Sequence, residues 1–247
     1  MTTHSFFIKQ SQIDTEQRVK LDGPDVHHIR LVLRLRKGSK IRLVDEERNM
    51  HLALVEKVTG RAVFAHIVQS TRNDPRRSAL TIIQGVPRLP KVDLITQKLT
   101  ELGADTIVFV PTEYTPYRDA FGKITKRLPR LRRIAESAAK QCARNNIPEV
   151  LVCAGLSEAA GAMEPEALLL VANEKARRGN LCEQLTDAGE KPVIAVFIGP
   201  EGGLSAGEMR FLQSLGAAGF SLGRNVLRTE TAAIVAAAVI LYELGEI

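Results

Sequence analysis

Two glycine-rich turns near the C-terminus hold the residues best suited to chemistry. The first, Gly199-Pro-Glu-Gly-Gly203, follows the apolar run Val193–Ile198 and leads to Ser205 and Glu208, the spacing of a capping box that opens a helix. Gly202 and Gly203 permit backbone conformations closed to other residues, and bare main chain lets a ligand approach closely. Glu201 would repel a phosphate but tolerate a cation. Neither Gly-x-Gly-x-x-Gly nor a P-loop Gly-Lys-Ser/Thr occurs, which excludes the familiar phosphate fingerprints. By itself this turn reads either as a ligand loop or as a tight strand–helix connection. The second turn runs from Leu222-Gly223 through Val226-Leu227 to Arg228-Thr229-Glu230. Thr229 is the expected N-cap of the helix beyond it, and the helix dipole alone would favour Glu230 in the first turn. An arginine at that positive end is unfavourable unless an anion accompanies it, which singles out Arg228.

The elements that must position these turns follow from hydrophobic periodicity. Apolar runs at Leu80–Gln84, Ile107–Val110, Val150–Cys153, Leu168–Ala172, Val193–Ile198 and Phe220–Leu222 predict strands. Between them, helices are predicted around Val92–Leu102 (stopped by Gly103), Lys123–Asn145 (bent or started near Pro129), Ser157–Met163, Leu181–Ala188, Ser205–Leu215 and Thr229–Leu244. This β–α alternation predicts an α/β domain, a mostly parallel sheet covered on both faces, with ligands beyond the carboxyl ends of its strands. The last helix is apolar nearly all round, as expected of one that is deeply buried or packed on another subunit. The first 70 residues differ in texture. Short alternating strands at Ser5–Ile8, Arg18–Leu21, Lys40–Val44, Met50–Val58 and Ala62–Val68 suggest a small β-barrel. One helix interrupts them, opened by Asp22-Gly23-Pro24, with Ile29, Leu31, Val32 and Leu33 as its apolar face. Ser70–Ser78 reads as a linker, so the expected domains are 1–72 and 73–247.

Charge separates the two halves. Net charge is +5 over residues 1–72, +6 over 73–150 and −5 over 151–247. Such asymmetry points to a polyanion partner for the basic part. Hydrophobic residues at 45% and charged residues at 25% exclude global disorder. The apolar run Ala232–Tyr242 is too short to span a membrane, and the N-terminus has no secretory pattern. Three scattered cysteines argue against a disulfide framework or a cysteine-rich metal site, and His27 and His28 lack a second ligand cluster. A cytoplasmic protein without metal or membrane association is expected.

The ordered set Lys98-Leu-Thr-Glu-Leu-Gly103, Arg133-Ile-Ala-Glu-Ser-Ala-Ala-Lys-Gln-Cys-Ala-Arg144 with Ile147-Pro148, Gly199-Pro-Glu-Gly-Gly203, Leu222-Gly223 and Leu227-Arg-Thr-Glu-Thr-Ala232 resembles the SPOUT-class knotted RNA methyltransferases. Within that class it is most similar to the ribosomal RNA small subunit methyltransferase E family, whose PUA-like N-terminal barrel also matches. The resemblance implies a trefoil-knotted α/β domain and a homodimer. It also implies S-adenosylmethionine as methyl donor, and N3 of a uridine in 16S ribosomal RNA, naked or in the small subunit, as acceptor. It places the cofactor among Leu170, Ile198, Gly199, Glu201, Gly202, Gly203, Leu222, Gly223 and Leu227. A non-catalytic ribosome-assembly factor, a SPOUT enzyme acting on another base or ribose, and an α/β enzyme using another nucleotide are the competing readings.

Methyl transfer to uracil N3 requires loss of a proton and stabilisation of the ring anion. Arg228 suits the second task, and Glu230 or Glu201 could accept the proton, although Glu201 could equally brace its loop through backbone N–H groups. Nine Lys/Arg against two acids lie between Arg118 and Arg144. Arg132, Arg133 and Arg144, with Gln141, Asn145 and Asn146, are the candidate RNA contacts. Phe6, Phe7, Tyr114 and Tyr117 could each stack one base.

Overall fold

A computed structural model describes residues 4–72, 78–176, 180–186, 189 and 192–247, the side chain of Asn180 excepted. They form two compact units, Met1–Pro75 with Ala139–Asn146, and Arg76–Ala138 with Ile147–Ile247.

In the first unit, β1 (His4–Phe7), β2 (Arg18–Leu21), α1 (Pro24–His27), β3 (Lys40–Val44), β4 (Met50–Val58) and β5 (Val63–Thr71) follow in chain order. The five strands form a sheet in the order β1-β3-β4-β5-β2, antiparallel except for β1 on β3. Alternation along β3 and β4 sends Ile41, Leu43, Ala53 and Val55 into a core shared with Phe6, Val19 and Leu21. The helix differs from expectation. It begins at Pro24, which suits a first turn, then widens into a π-turn over His28–Val32. Ile29 is buried, but Leu31 and Val32 are 49% and 60% exposed, because the wider turn rotates them off the expected face. Phe6 is buried and offers no ring to a base. The later segment Ala139–Asn146 is held within this unit by Lys140 Nζ on Asp25 (2.7 Å) and by Arg42, whose guanidinium donates to Ala143 O (3.0 Å). Ser70 and Thr71 continue β5, whereas residues 73–77 of the expected linker lie outside the described residues.

The second unit comprises β6 (Ala79–Gly85), α2 (Leu89–Leu102), β7 (Thr106–Val110), α3 (Ala120–Gln141), β8 (Glu149–Val152), α4 (Leu156–Gly161), β9 (Leu168–Ala172), α5 (Asn180–Thr186), β10 (Val193–Ile198), α6 (Ala206–Ser214), β11 (Ala218–Phe220) and α7 (Thr229–Glu243). The end of α3 belongs to the first unit. All six strands are parallel, in the order β11-β9-β10-β6-β7-β8, so β10 lies between two strands that precede it in the chain. The apolar run of β10 still alternates. Ile194, Val196 and Ile198 face the core under α2, α3, α5 and α7, while Ala195 and Phe197 face α4 and α6. Each such large apolar side chain, fully buried, contributes about 1.5–3 kcal/mol. Gly103 ends α2 with φ +121°, as expected of a left-handed terminator. Helix α3 stops at Gln141 rather than Asn145, since Ala143 takes a positive φ of 58°. Residues 187–188 of the segment predicted as Leu181–Ala188 lie outside the described residues. No described helix is long and apolar enough to cross a membrane.

Candidate active site

Strand β10 delivers the chain to Gly199, where the first turn folds tightly on itself. Gly203 N–H donates to Pro200 O (2.9 Å). A Cβ on Gly199 would stand 2.8 Å from the carbonyl carbon of Gly203, and one on Gly202 would stand 2.7 Å from Tyr114 Cβ. Both contacts are with atoms that cannot swing away, so glycine is required sterically at each. The capping box forms as expected: Ser205 Oγ accepts from Glu208 N–H, and Glu208 Oε2 accepts from Ser205 N–H (2.8 Å). The other carboxylate oxygen of Glu208 accepts from Glu113 N–H (2.9 Å), which ties the β7–α3 loop to this turn.

The second turn is joined to the first from beneath. Thr229 is not the N-cap of α7; Arg228 occupies that place, and Thr229 is the first helical residue. The Thr229 hydroxyl donates to Gly199 O at 2.6 Å. Gln84, fully buried at the end of the central strand β6, donates to Thr229 Oγ1 (2.8 Å), Gly85 O (2.8 Å) and Gly199 O (3.2 Å). Gly223, with φ +126°, turns the chain between β11 and α7.

These turns and the loop after β9 line one cleft of about 830 Å³ at the carboxyl ends of β9, β10 and β11. Ile198, Gly199, Glu201, Gly202, Gly203, Leu222, Gly223, Leu227 and Arg228 all line it. Leu170 does not: it is fully buried in β9, and Ala172, Asn173, Glu174 and Lys175 supply that wall instead. Arg228 is exposed and forms no ion pair among the described residues.

Lys91, near the start of α2, has no sequence signature and proves central. Its Nζ lies 3.0 Å from Glu201 Oε1 and 2.8 Å from Glu230 Oε2, one carboxylate from each turn. Glu201 Oε1 also accepts from Arg88 N–H (3.1 Å). Burial opposes ionisation of Glu201, but the Arg88 N–H and the Lys91 ammonium outweigh it and hold the carboxyl below the ordinary range. Burial likewise opposes ionisation of Glu230, and there Lys91 prevails, helped by Arg228. Burial works against the Lys91 ammonium, yet Glu230 and Glu201 together raise its pKa. Sharing one lysine, the two carboxylates keep a net negative charge but are each held below the ordinary carboxyl range, which weakens both as proton acceptors and suits them to bracing the turns. The backbone-bracing alternative for Glu201 is the one its contacts favour.

The expected RNA residues divide. Arg132, Arg133 and Gln141 are exposed and Asn145 is half-buried. Arg144 and Asn146 are 8% and 9% exposed, and the Arg144 guanidinium donates to Asn146 Oδ1 (2.8 and 3.1 Å), so this pair lies inside rather than facing a polyanion. Arg127 and Arg130 are bound by Asp93. Arg118, Lys123, Lys126, Arg132 and Arg133 remain as an exposed basic face on and before α3.

Residues 74–241 match the RNA methyltransferase domain model and residues 21–68 match the RNA methyltransferase PUA domain model. The chain is 30% identical over 233 residues to the ribosomal RNA small subunit methyltransferase E of Mycobacterium bovis, covering 90% of this chain and 86% of that protein. It is 27% identical to the Bacillus subtilis protein of that name, covering 96% of each. The crystal structure of the Neisseria gonorrhoeae enzyme of the same name, bound to S-adenosylmethionine, superimposes with a TM-score of 0.85 at 28% identity and 98% coverage of both chains. The fold is thus the SPOUT-type α/β domain preceded by a PUA-like sheet, and the chain belongs to the ribosomal RNA small subunit methyltransferase E family.

Proposed function

We propose that this protein methylates N3 of a uridine in small-subunit (16S) ribosomal RNA, with S-adenosylmethionine as donor. The observation that carries the proposal is the single cleft walled by both glycine turns and bridged by Lys91. Its size lies within the range of small-molecule sites, and its lining fits this donor. Ile198, Leu222, Leu227 and the main chain of Gly199, Gly202 and Gly203 would hold the adenosine. The carboxylates of Glu174 and Glu201 tolerate a cation, as they would not a phosphate. Bound there, S-adenosylmethionine supplies a methyl group on a positively charged sulfur.

Arg228 performs the electrostatic work on the acceptor. Its exposed guanidinium at the cleft can hydrogen-bond a uracil ring oxygen, which stabilises the anion left when N3 loses its proton to water. Lys91 keeps Glu201 and Glu230 ionised and the turns in place. The basic face of Arg118, Lys123, Lys126, Arg132 and Arg133 supplies phosphate contacts. Domain 1–72 adds RNA binding to the RNA contacts and methyl transfer of domain 73–247, in the cytoplasm. The insertion of β10 between β9 and β6 supports a knotted chain path. Ile234, Val235, Ala238 and Val239 are only half-buried on α7 and Tyr242 is 70% exposed, which supports a homodimer through this helix.

Mass spectrometry of ribosomal RNA from cells lacking the protein tests the reading. One 3-methyluridine should disappear from the small-subunit RNA and return with the wild-type gene. An unchanged methylation pattern would contradict it, as expected of an assembly factor without catalysis.

A further inference from the structure

The loop between β7 and α3 and the start of α3 carry a second hollow of about 590 Å³, lined by Tyr117, Arg118 and Phe121 and by the acids Glu113 and Asp119 among others; Tyr114 lies between two lining residues in the chain but not in the lining itself. Among the described residues only three aromatic side chains are strongly exposed: Tyr114 (49%), Phe121 (43%) and Tyr242 (70%). Tyr114 stands in this loop and Phe121 in the first turn of α3 that follows it. Exposed rings carry a solvation cost that a surface loop need not bear. The loop is also internally hydrogen-bonded. Thr115 N–H donates to Thr112 O (3.1 Å), Thr112 N–H to Thr115 Oγ1 (2.9 Å), and Gly122 N–H to Asp119 Oδ1 (3.0 Å).

Its position relative to the cleft is fixed by two contacts. Tyr114 Cβ rests against Gly202, and Glu113 N–H reaches Glu208. Tyr117 is spoken for: its hydroxyl accepts from Leu89 N–H (3.0 Å), and Lys123 Nζ covers one ring face 4.6 Å from the centroid. Tyr114 and Phe121 remain as exposed rings in a stretch of chain that also carries the exposed cations Arg118, Lys123 and Lys126. Rings interleaved with cations suit an unpaired nucleotide, whose base stacks while its phosphate meets the charge.

Resting on the RNA-methylation reading above, we infer that this hollow, with the Phe121 ring in its lining and the exposed Tyr114 ring of the same loop, is a nucleobase-stacking subsite for an unpaired nucleotide flanking the target uridine. It would grip the strand beside the cleft and so favour single-stranded or splayed RNA over a continuous helix.

The test uses the full-length protein and a short single-stranded RNA with 2-aminopurine next to the uridine. Wild type should quench the probe on binding. Phe121→Ala and Tyr114→Leu should each abolish much of the quenching and weaken RNA binding about tenfold. Phe121→Tyr and Tyr114→Phe, which keep the rings, should restore both. Calorimetry with S-adenosylmethionine alone separates this inference from the reading beneath it. Full quenching by both ring-deleted variants, with donor binding intact, overturns the subsite and leaves the methyltransferase reading standing. Ring-dependent quenching by a protein that binds no donor supports the subsite and overturns the donor cleft. Loss of quenching that the ring-retaining variants fail to restore also counts against stacking.

Discussion

Lys91→Met retains the aliphatic stem of the lysine while removing the ammonium that joins the two turns. An exposed ion pair contributes about 0.2–1 kcal/mol, and removing one partner of a buried pair costs about 3–5 kcal/mol. Here the side chains of Lys91, Glu201 and Glu230 are 23%, 31% and 13% exposed, so the two pairs lie between those limits. A net loss of about 2–3 kcal/mol follows, a fall in Tm of roughly 4–12 °C for a chain of this length. The pH dependence has a definite sign. Both carboxyls are held below their ordinary value of 4.5, so their stabilisation is fully present above that pH and is lost as pH falls through the depressed values. The Lys91 pKa is raised above its ordinary 10.5, so its contribution is fully present below that pH and is lost as pH rises through the raised value. The stability gap between wild type and variant should therefore be widest between these limits and close in acid. Thermal denaturation followed by circular dichroism across pH measures it. Equal stability at neutral pH, or a gap that persists undiminished in acid, would refute the bridge.

Gly199→Ala forces a methyl group against the Gly203 backbone, so the first turn must shift. Donor affinity measured by calorimetry should fall at least tenfold, with about 1–3 kcal/mol lost in denaturation. Arg228→Ala should retain donor affinity and lose about 10²–10³ in single-turnover methyl transfer. Partial recovery is expected as pH rises and the uracil ionises unaided; an unchanged rate would remove Arg228 from the chemistry. With about five exposed cations on phosphates, RNA affinity measured by anisotropy should fall about 10²-fold between 50 and 200 mM salt, whereas a flat profile would exclude the basic face. Tyr242→Asp should shift the protein toward monomer in light scattering.

The strands were legible because their periodicity is strong. Arg18–Leu21, Lys40–Val44, Met50–Val58, Leu168–Ala172 and Val193–Ile198 have the expected boundaries. Both glycine turns were legible because close backbone approach leaves few residue types free. Lys91 was not, since nothing local distinguishes it from any lysine in the first turn of an amphipathic helix. Its role exists only once β6, β10 and β11 bring α2 under both turns. Gln84 left a faint trace, as a polar residue ending an otherwise apolar strand. Thr229 was placed one position too early because its hydroxyl serves Gly199 O rather than its own helix. Arg144 and Asn146 were named as candidate RNA contacts because they end a basic, amide-rich stretch, but the chain leaves α3 at Gln141 and both side chains are buried.

Hydrogen–deuterium exchange with and without S-adenosylmethionine tests the central claim most directly, since it reports each wall of the cleft separately. Residues 199–204, 222–228 and 172–175 should all gain protection together on addition of the donor. Protection confined to one turn, or absent from both, would contradict a shared site.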